Sequence, residues 1–151
     1  MLYALHTSGT TAKPKAVVHT SGGYLAYAAT THRWIFDVHD DDVYWCAADI
    51  GWVTGHTYIV YGPLANGCTS VLYEGDPMHP GPDRHWQIIA RHRVTQYYTA
   101  RTLIRAVLKA GPAHPAAPDP NLRTLPRYVG APGNPQPGVC PRTVLAGGRV
   151  A

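Results

Sequence analysis

Short apolar runs of strand composition alternate along this chain with stretches whose apolar residues recur at helical spacing. That alternation leaves few folds open. Residues 2–6, 16–19, 43–46, 70–73, 95–98 and 125–129 read as strands, because they are short and rich in β-branched and aromatic side chains. Between them, Tyr24, Leu25, Ala28, Ala29 and Ile35 form one helical set. It opens at Thr20 or Ser21, whose side-chain oxygen can accept a free amide of the first turn. Residues 56–64 read as a second helix, ended near Pro63. A third begins after Asp83 and carries Trp86, Ile89 and Ala90 on one face, and Leu103, Ile104, Val107 and Leu108 form the clearest stripe of all. Strands alternating with helices predict an α/β protein with a largely parallel sheet.

The length, 151 residues, suits one domain or a part of a larger one. Charged residues are only 15% of the chain, against a usual figure of about 25%. So neutral a surface points to a piece of a larger body. The net charge is +4, and most arginines follow Arg84, where Asp119 alone opposes them. They do not interleave with aromatic residues along one face, so a nucleic-acid partner is not expected. Cys46, Cys68 and Cys140 make no CxxC pair, which argues against a disulfide framework and for a reducing cytoplasm. No apolar run approaches the roughly 18 residues of a membrane span, and the opening six residues are too short for a signal peptide, so no membrane partner is expected. From Pro132 onward, Pro135, Pro137 and Pro141 arrive with no periodic apolar face between them, and residues 136–151 are expected to be a poorly ordered Pro/Gly/Arg-rich tail.

The strongest chemical signal is the loop Thr7, Ser8, Gly9, Thr10, Thr11, Ala12, Lys13, Pro14, Lys15, which follows a strand. Phosphate needs hydrogen-bond donors and positive charge, and glycine lets the backbone turn its amides toward a ligand. The spacing is not that of a Walker A loop, and a solvated Ser/Thr turn remains the plainer alternative. Asp49 to His56 is the second signal: two glycines flank Trp52 and Thr54, either as a tight turn presenting an aromatic wall or as a packed loop with a core Trp. Glu74 is the sole glutamate, so paired-carboxylate chemistry has little material. The nine histidines lack ligand spacing, which predicts no metal site, and Asp40, Asp41 and Asp42 read as a solvated turn.

Taken in order, these residues resemble a known family. His6 to Val17 is similar to the phosphate-loop signature of the adenylate-forming superfamily, [Y/H]TSGSTGKPKGV. His19 to Tyr24, Tyr44-Trp45-Cys46, Asp49 to His56, Tyr61 to Leu64, Glu74-Gly75, Tyr98-Thr99-Ala100 with Thr102, Ile104 and Arg105, Val129-Gly130 and Asn134-Pro135 continue the match. Together they resemble the AMP-forming acetyl-CoA synthetases (acetate–CoA ligases) over about residues 2–135, an internal piece of the large AMP-binding domain. The resemblance implies ATP, Mg²⁺ and CoA as cofactors, with acetate, ATP and CoA as the small-molecule partners. Acetate would attack the α-phosphate to give acetyl-adenylate and pyrophosphate, and the CoA thiol would then displace AMP. By resemblance, Thr7, Ser8, Gly9, Thr10, Thr11 and Lys13 would embrace the ATP phosphates. Gly130, Ala131 and Pro132 would meet the adenine, Val53 and Val129 would line the acyl pocket, and Thr54 would lie near CoA.

The sequence departs from the family pattern at Ala12 and Ala16 for Gly, Met78 for Asn, Arg101 for Pro and Ala131 for Glu. The family's later motifs and its catalytic Lys lie beyond these residues, so the chain alone is expected to lack ligase activity. A non-catalytic nucleotide- or phosphate-binding module, and the inert product of a damaged gene, are the alternatives.

Overall fold

A computed structural model describes residues 1–7, 13–76, 78–109 and 127–130. Among them the elements run β1 (Tyr3–Thr7), β2 (Lys15–His19), α1 (Ser21–Phe36), β3 (Val43–Cys46), α2 (Val53–Gly55), a π-helical stretch (His56–Tyr61), α3 (Gly62–Ala65), β4 (Thr69–Val71), α4 (Arg84–His92), β5 (Gln96–Thr99), α5 (Arg101–Lys109) and β6 (Arg127–Gly130). The alternation expected from the sequence is present, with one difference. β1 and β2 pair antiparallel as a separate hairpin, Tyr3 opposite His19 and Thr7 opposite Lys15. The remaining strands form a parallel sheet in the order β4-β3-β5-β6.

The central strands are buried on both faces, as expected of a parallel sheet covered by helices. Trp45 and Tyr97 point to one side, where Trp86, Ile88 and Ile89 of α4 pack against them together with Val94. Tyr44, Cys46 and Tyr98 point to the other, against Phe36 of α1 and Tyr58 and Ile59 of the π-helical stretch. Phe36 meets Tyr44, Tyr58 and Tyr98 edge-on at 5.1, 5.4 and 5.2 Å. Such perpendicular ring pairs add to what area burial alone contributes.

Several local expectations need correction. Thr20 does stand at the N-cap of α1, but its side chain makes no capping bond; its carbonyl accepts from Tyr24 N–H at 3.0 Å instead. Asp83 likewise sits at the N-cap of α4 without a capping bond, its carboxylate taken by Gln87 Nε2 at 2.7 Å. The buried face of α1 is Tyr24, Ala28, His32 and Phe36, whereas Ile35 is exposed. Pro63 does not end a helix. It stands in the first turn of α3, within a helical run that continues unbroken from the π-helical stretch to Ala65. Asp42 is not solvated but 7% exposed. Its carboxylate accepts from Thr95 Oγ1 and Gln96 Nε2, both at 2.7 Å, and from His39 N–H at 2.9 Å. Thr95 Oγ1 in turn accepts from Val43 N–H at 3.0 Å, so one carboxylate locks the amino ends of β3 and β5 in register. The tail 136–151 lies outside the described residues.

His32 is fully buried where α1 crosses α3. Its Nδ1 meets Asn66 Nδ2 at 3.1 Å, and a Cβ on Gly62 would stand 2.9 Å from the His32 Cβ. Burial pushes the imidazole down from 6.5 to about 4. Two outcomes follow from these buried groups. Asp42→Ala leaves three donors without their acceptor and lowers the unfolding free energy by about 3 kcal/mol in a urea titration. For His32 the folded value lies below the unfolded one, so its contribution is complete above pH 6.5 and drains as pH falls toward 4. His32→Leu makes the acid loss of stability between those values shallower by about 2 kcal/mol, read from melts across pH.

Candidate functional site

The chain passes from β3 outward to β4, returns across β3 to β5 and continues to β6, so the strand order reverses between β3 and β5. Open α/β sheets bind ligands outside the carboxyl ends of their strands at such a reversal. Here that edge carries Ala47 to Asp49 after β3, Leu72 to Gly75 after β4, Ala100 after β5 and Gly130 at the end of β6. Ala47 N–H donates to Tyr98 O at 2.8 Å, and Thr99 stands opposite Gly130. A cavity of about 810 Å³ opens at the carboxyl ends of β3 and β4, next to that reversal, walled by Ala47, Ala48 and Ile59 and rimmed by Asp49 and Glu74. Thr99 was given no role from its sequence position. It is buried, and its hydroxyl has no hydrogen-bond partner among the described residues. Its hydroxyl type is uninformative in sequence; only the strand register places it at the reversal.

The segment 49–57 is built by backbone economy. Asp49 Oδ1 accepts from Gly51 N–H at 2.7 Å, and Asp49 O accepts from Trp52 N–H at 3.2 Å. The turn then folds back on Gly55 so closely that a Cβ there would stand 2.4 Å from Asp49 O and 2.5 Å from Ile50 Cα. This close approach is what requires glycine. His56 Nδ1 lies 3.0 Å from Trp52 O, and because a carbonyl only accepts, Nδ1 carries the proton. Thr57 Oγ1 donates to Val53 O at 2.8 Å, which leaves it to accept from Tyr24 OH at 2.6 Å. A buried hydroxyl chain from α1 therefore holds the Val53 carbonyl in place. Trp52 is 69% exposed, so the reading of it as a core Trp fails and that of a presented aromatic stands.

The hairpin carries the remaining candidate residues that are described. Thr7 Oγ1 donates to Lys15 O at 3.3 Å, and Thr7 and Lys13, both exposed, flank the loop at its tip. Ser8, Gly9, Thr10 and Thr11 lie outside the described residues, as do Ala131 and Pro132. Val53 is exposed and Thr54 half-buried at the start of α2; Val129 and Gly130 end β6. The fold thus puts Gly130 on the same sheet edge as the cavity, and Val53 and Thr54 on the helical segment that covers one face. Burial raises the Cys46 thiol to about 12, so it is a neutral wall group and not a nucleophile. Among the described residues no group of three or more His, Cys, Asp or Glu side chains could hold a metal ion. No described helix is long and apolar enough to cross a membrane.

The chain thus joins a parallel sheet open at its carboxyl edge to a Thr/Lys hairpin that lies beside a glycine-pinned turn. Residues 1–149 match the family model of AMP-binding enzymes, and the chain belongs to that family. Its relatives narrow the class. The chain is 50% identical over 148 residues to an acetyl-coenzyme A synthetase of Bdellovibrio bacteriovorus, covering 98% of this chain and 23% of that protein. It is 53% identical over 149 residues to that of Rubrobacter xylanophilus, covering 99% of this chain and 23% of the other. It is 61% identical over 110 residues to that of Drosophila melanogaster, covering 73% and 16%. The chain therefore spans under a quarter of the length of the relatives it matches.

The turn generates a direct test. Gly55→Ala forces the backbone of residues 49 and 50 away, lowers stability by about 3 kcal/mol and exposes the Val53 carbonyl. A thermal melt unchanged from the parent would show that the turn is looser than its geometry.

Proposed function

We propose that this chain recognises the triphosphate of ATP as part of an acetate–CoA ligase-like domain of the AMP-forming type. The observation that carries the reading is the exposed pair Thr7 and Lys13 flanking a hydroxyl- and glycine-rich loop, in a chain about half identical to acetyl-coenzyme A synthetases. Phosphoryl chemistry depends on positioning and charge neutralisation more than on covalent help from the protein, and hydroxyls, turned amides and an ammonium group supply both. Thr7, Ser8, Gly9, Thr10, Thr11 and Lys13 serve the phosphates in this reading. Gly130, Ala131 and Pro132 meet the adenine, Val53 and Val129 face the acetyl group, and Thr54 faces CoA. Mg²⁺ would be held chiefly by the nucleotide's own phosphates, since the described side chains offer it no ligand cluster, and it would supply charge neutralisation there. The working compartment is the cytoplasm and the partners are ATP, acetate and CoA, with no nucleic acid.

The described residues bind, orient and exclude water; none stands as a proton donor or acceptor for the reacting atoms. Recognition of nucleotide is accordingly the activity proposed for the isolated chain, without acetyl-CoA formation. Calorimetry with MgATP yields saturable binding that Lys13→Ala weakens at least about tenfold, the loss of one charge-assisted contact to phosphate. Absence of binding by the parent chain overturns the reading, as does binding indifferent to Lys13. Acetyl-CoA formed from acetate, ATP and CoA above the Lys13→Ala control overturns the claim of binding without turnover.

A further inference from the structure

The hairpin is anchored at only one end. On β2, Lys15 to Val18 are exposed and His19 alone is partly buried; on β1, Tyr3 and Leu5 turn inward. The open end is held by rings. Tyr3 stacks on His19, its cross-strand partner, at 4.6 Å and 25°, and on His56 at 4.5 Å and 20°. Tyr61 lies parallel to Tyr3 at 6.0 Å and 8°, and Tyr24 of α1 meets Tyr3 edge-on at 5.1 Å. Burial lifts the Tyr3 phenol above its ordinary value, so the ring stays neutral. The tip carrying Thr7 and Lys13 is four residues further along β1, about 13 Å at the rise of a strand. A small rotation at the ring cluster is thus magnified at the tip.

His56 is also the residue that closes the other candidate segment. Its Nδ1–H is spent on Trp52 O, which fixes the ring against the turn containing Val53 and Thr54. One imidazole therefore touches both the base of the hairpin and the turn. We propose that His56 and Tyr3 are positioning residues: their stacked rings set the hairpin tip and the Val53–Thr54 turn in one frame, so that nucleotide binding at the tip depends on a contact made at the opposite end of the hairpin. This rests on the reading of Thr7 and Lys13 as phosphate-binding groups. It adds a role for two side chains that touch no proposed ligand.

The test separates the two claims. In the parent chain without nucleotide, nuclear magnetic resonance reads the cluster directly: the Tyr3 ring protons are shifted upfield by the stacked rings, and amide hydrogens of β1 and β2 exchange slowly. His56→Ala speeds exchange across the hairpin while leaving β3 and β5 protected, and His56→Phe, which keeps a ring, restores the slow exchange. With MgATP, His56→Ala binds about tenfold more weakly, the scale of a misplaced contact, and His56→Phe returns to within about threefold of the parent. Unshifted Tyr3 protons in the parent, hairpin exchange unaltered in His56→Ala, or His56→Phe as impaired as His56→Ala each overturn the proposal. Should His56→Ala not fold, the parent spectrum and His56→Phe still decide it. A parent chain that binds no MgATP removes the functional reading, and the exchange data then judge the ring cluster alone.

Discussion

The fold depends on burying β3 on both of its faces. Tyr44, Trp45 and Cys46 are three successive residues with almost no exposure, so alternate side chains of one strand feed two separate cores. Rings meet rings in both, joined in the first by Ile88, Ile89 and Val94. Because β3 lies between β4 and β5, the strand order reverses beside it, and the turn from 49 to 57 begins at its carboxyl end. The glycine-pinned turn is thereby hung on the end of a strand buried on both faces.

Aromatic rings take the place that charge has in most small domains. The described ion pair joins His39 and Asp37 on the surface at 3.3 Å, and such an exposed pair contributes little. The hairpin, by contrast, is attached through Tyr3, His19, Tyr24, His56 and Tyr61. Stacked and edge-on rings give direction as well as burial, because their quadrupoles favour particular angles. This suits an element that must be aimed without being enclosed.

Much of the fold was legible in the sequence. Val43 to Cys46 was bounded to the residue, and the strand–helix alternation carried the parallel sheet. The antiparallel hairpin was not legible as such: two short apolar runs around a polar loop look alike whether the chain crosses over or doubles back. His32 and Asp42 were missed because a His within a helix and an Asp within an acidic run give no sign of burial; only packing against Tyr44 and the reach of Gln96 from β5 place them inside. For the site, residue type drew attention to Thr7 and Lys13, whereas Val53, Thr54 and Gly130 were named only through the resemblance to the acetyl-CoA synthetases. Neither route could single out Thr99, or the Tyr24–Thr57–Val53 relay, since those depend on a register and on a π-helical winding that no local pattern encodes.

The Asp42 carboxylate sits at the amino end of the sheet, while the cavity and the glycine-pinned turn sit at the carboxyl end. Cohesion and the open cavity are therefore spatially divorced along the same strands. The rim at Asp49, Ile50 and Leu72 can change without loosening the clasp that keeps the strands aligned, which makes this a scaffold apt for divergence at one pole and conservatism at the other.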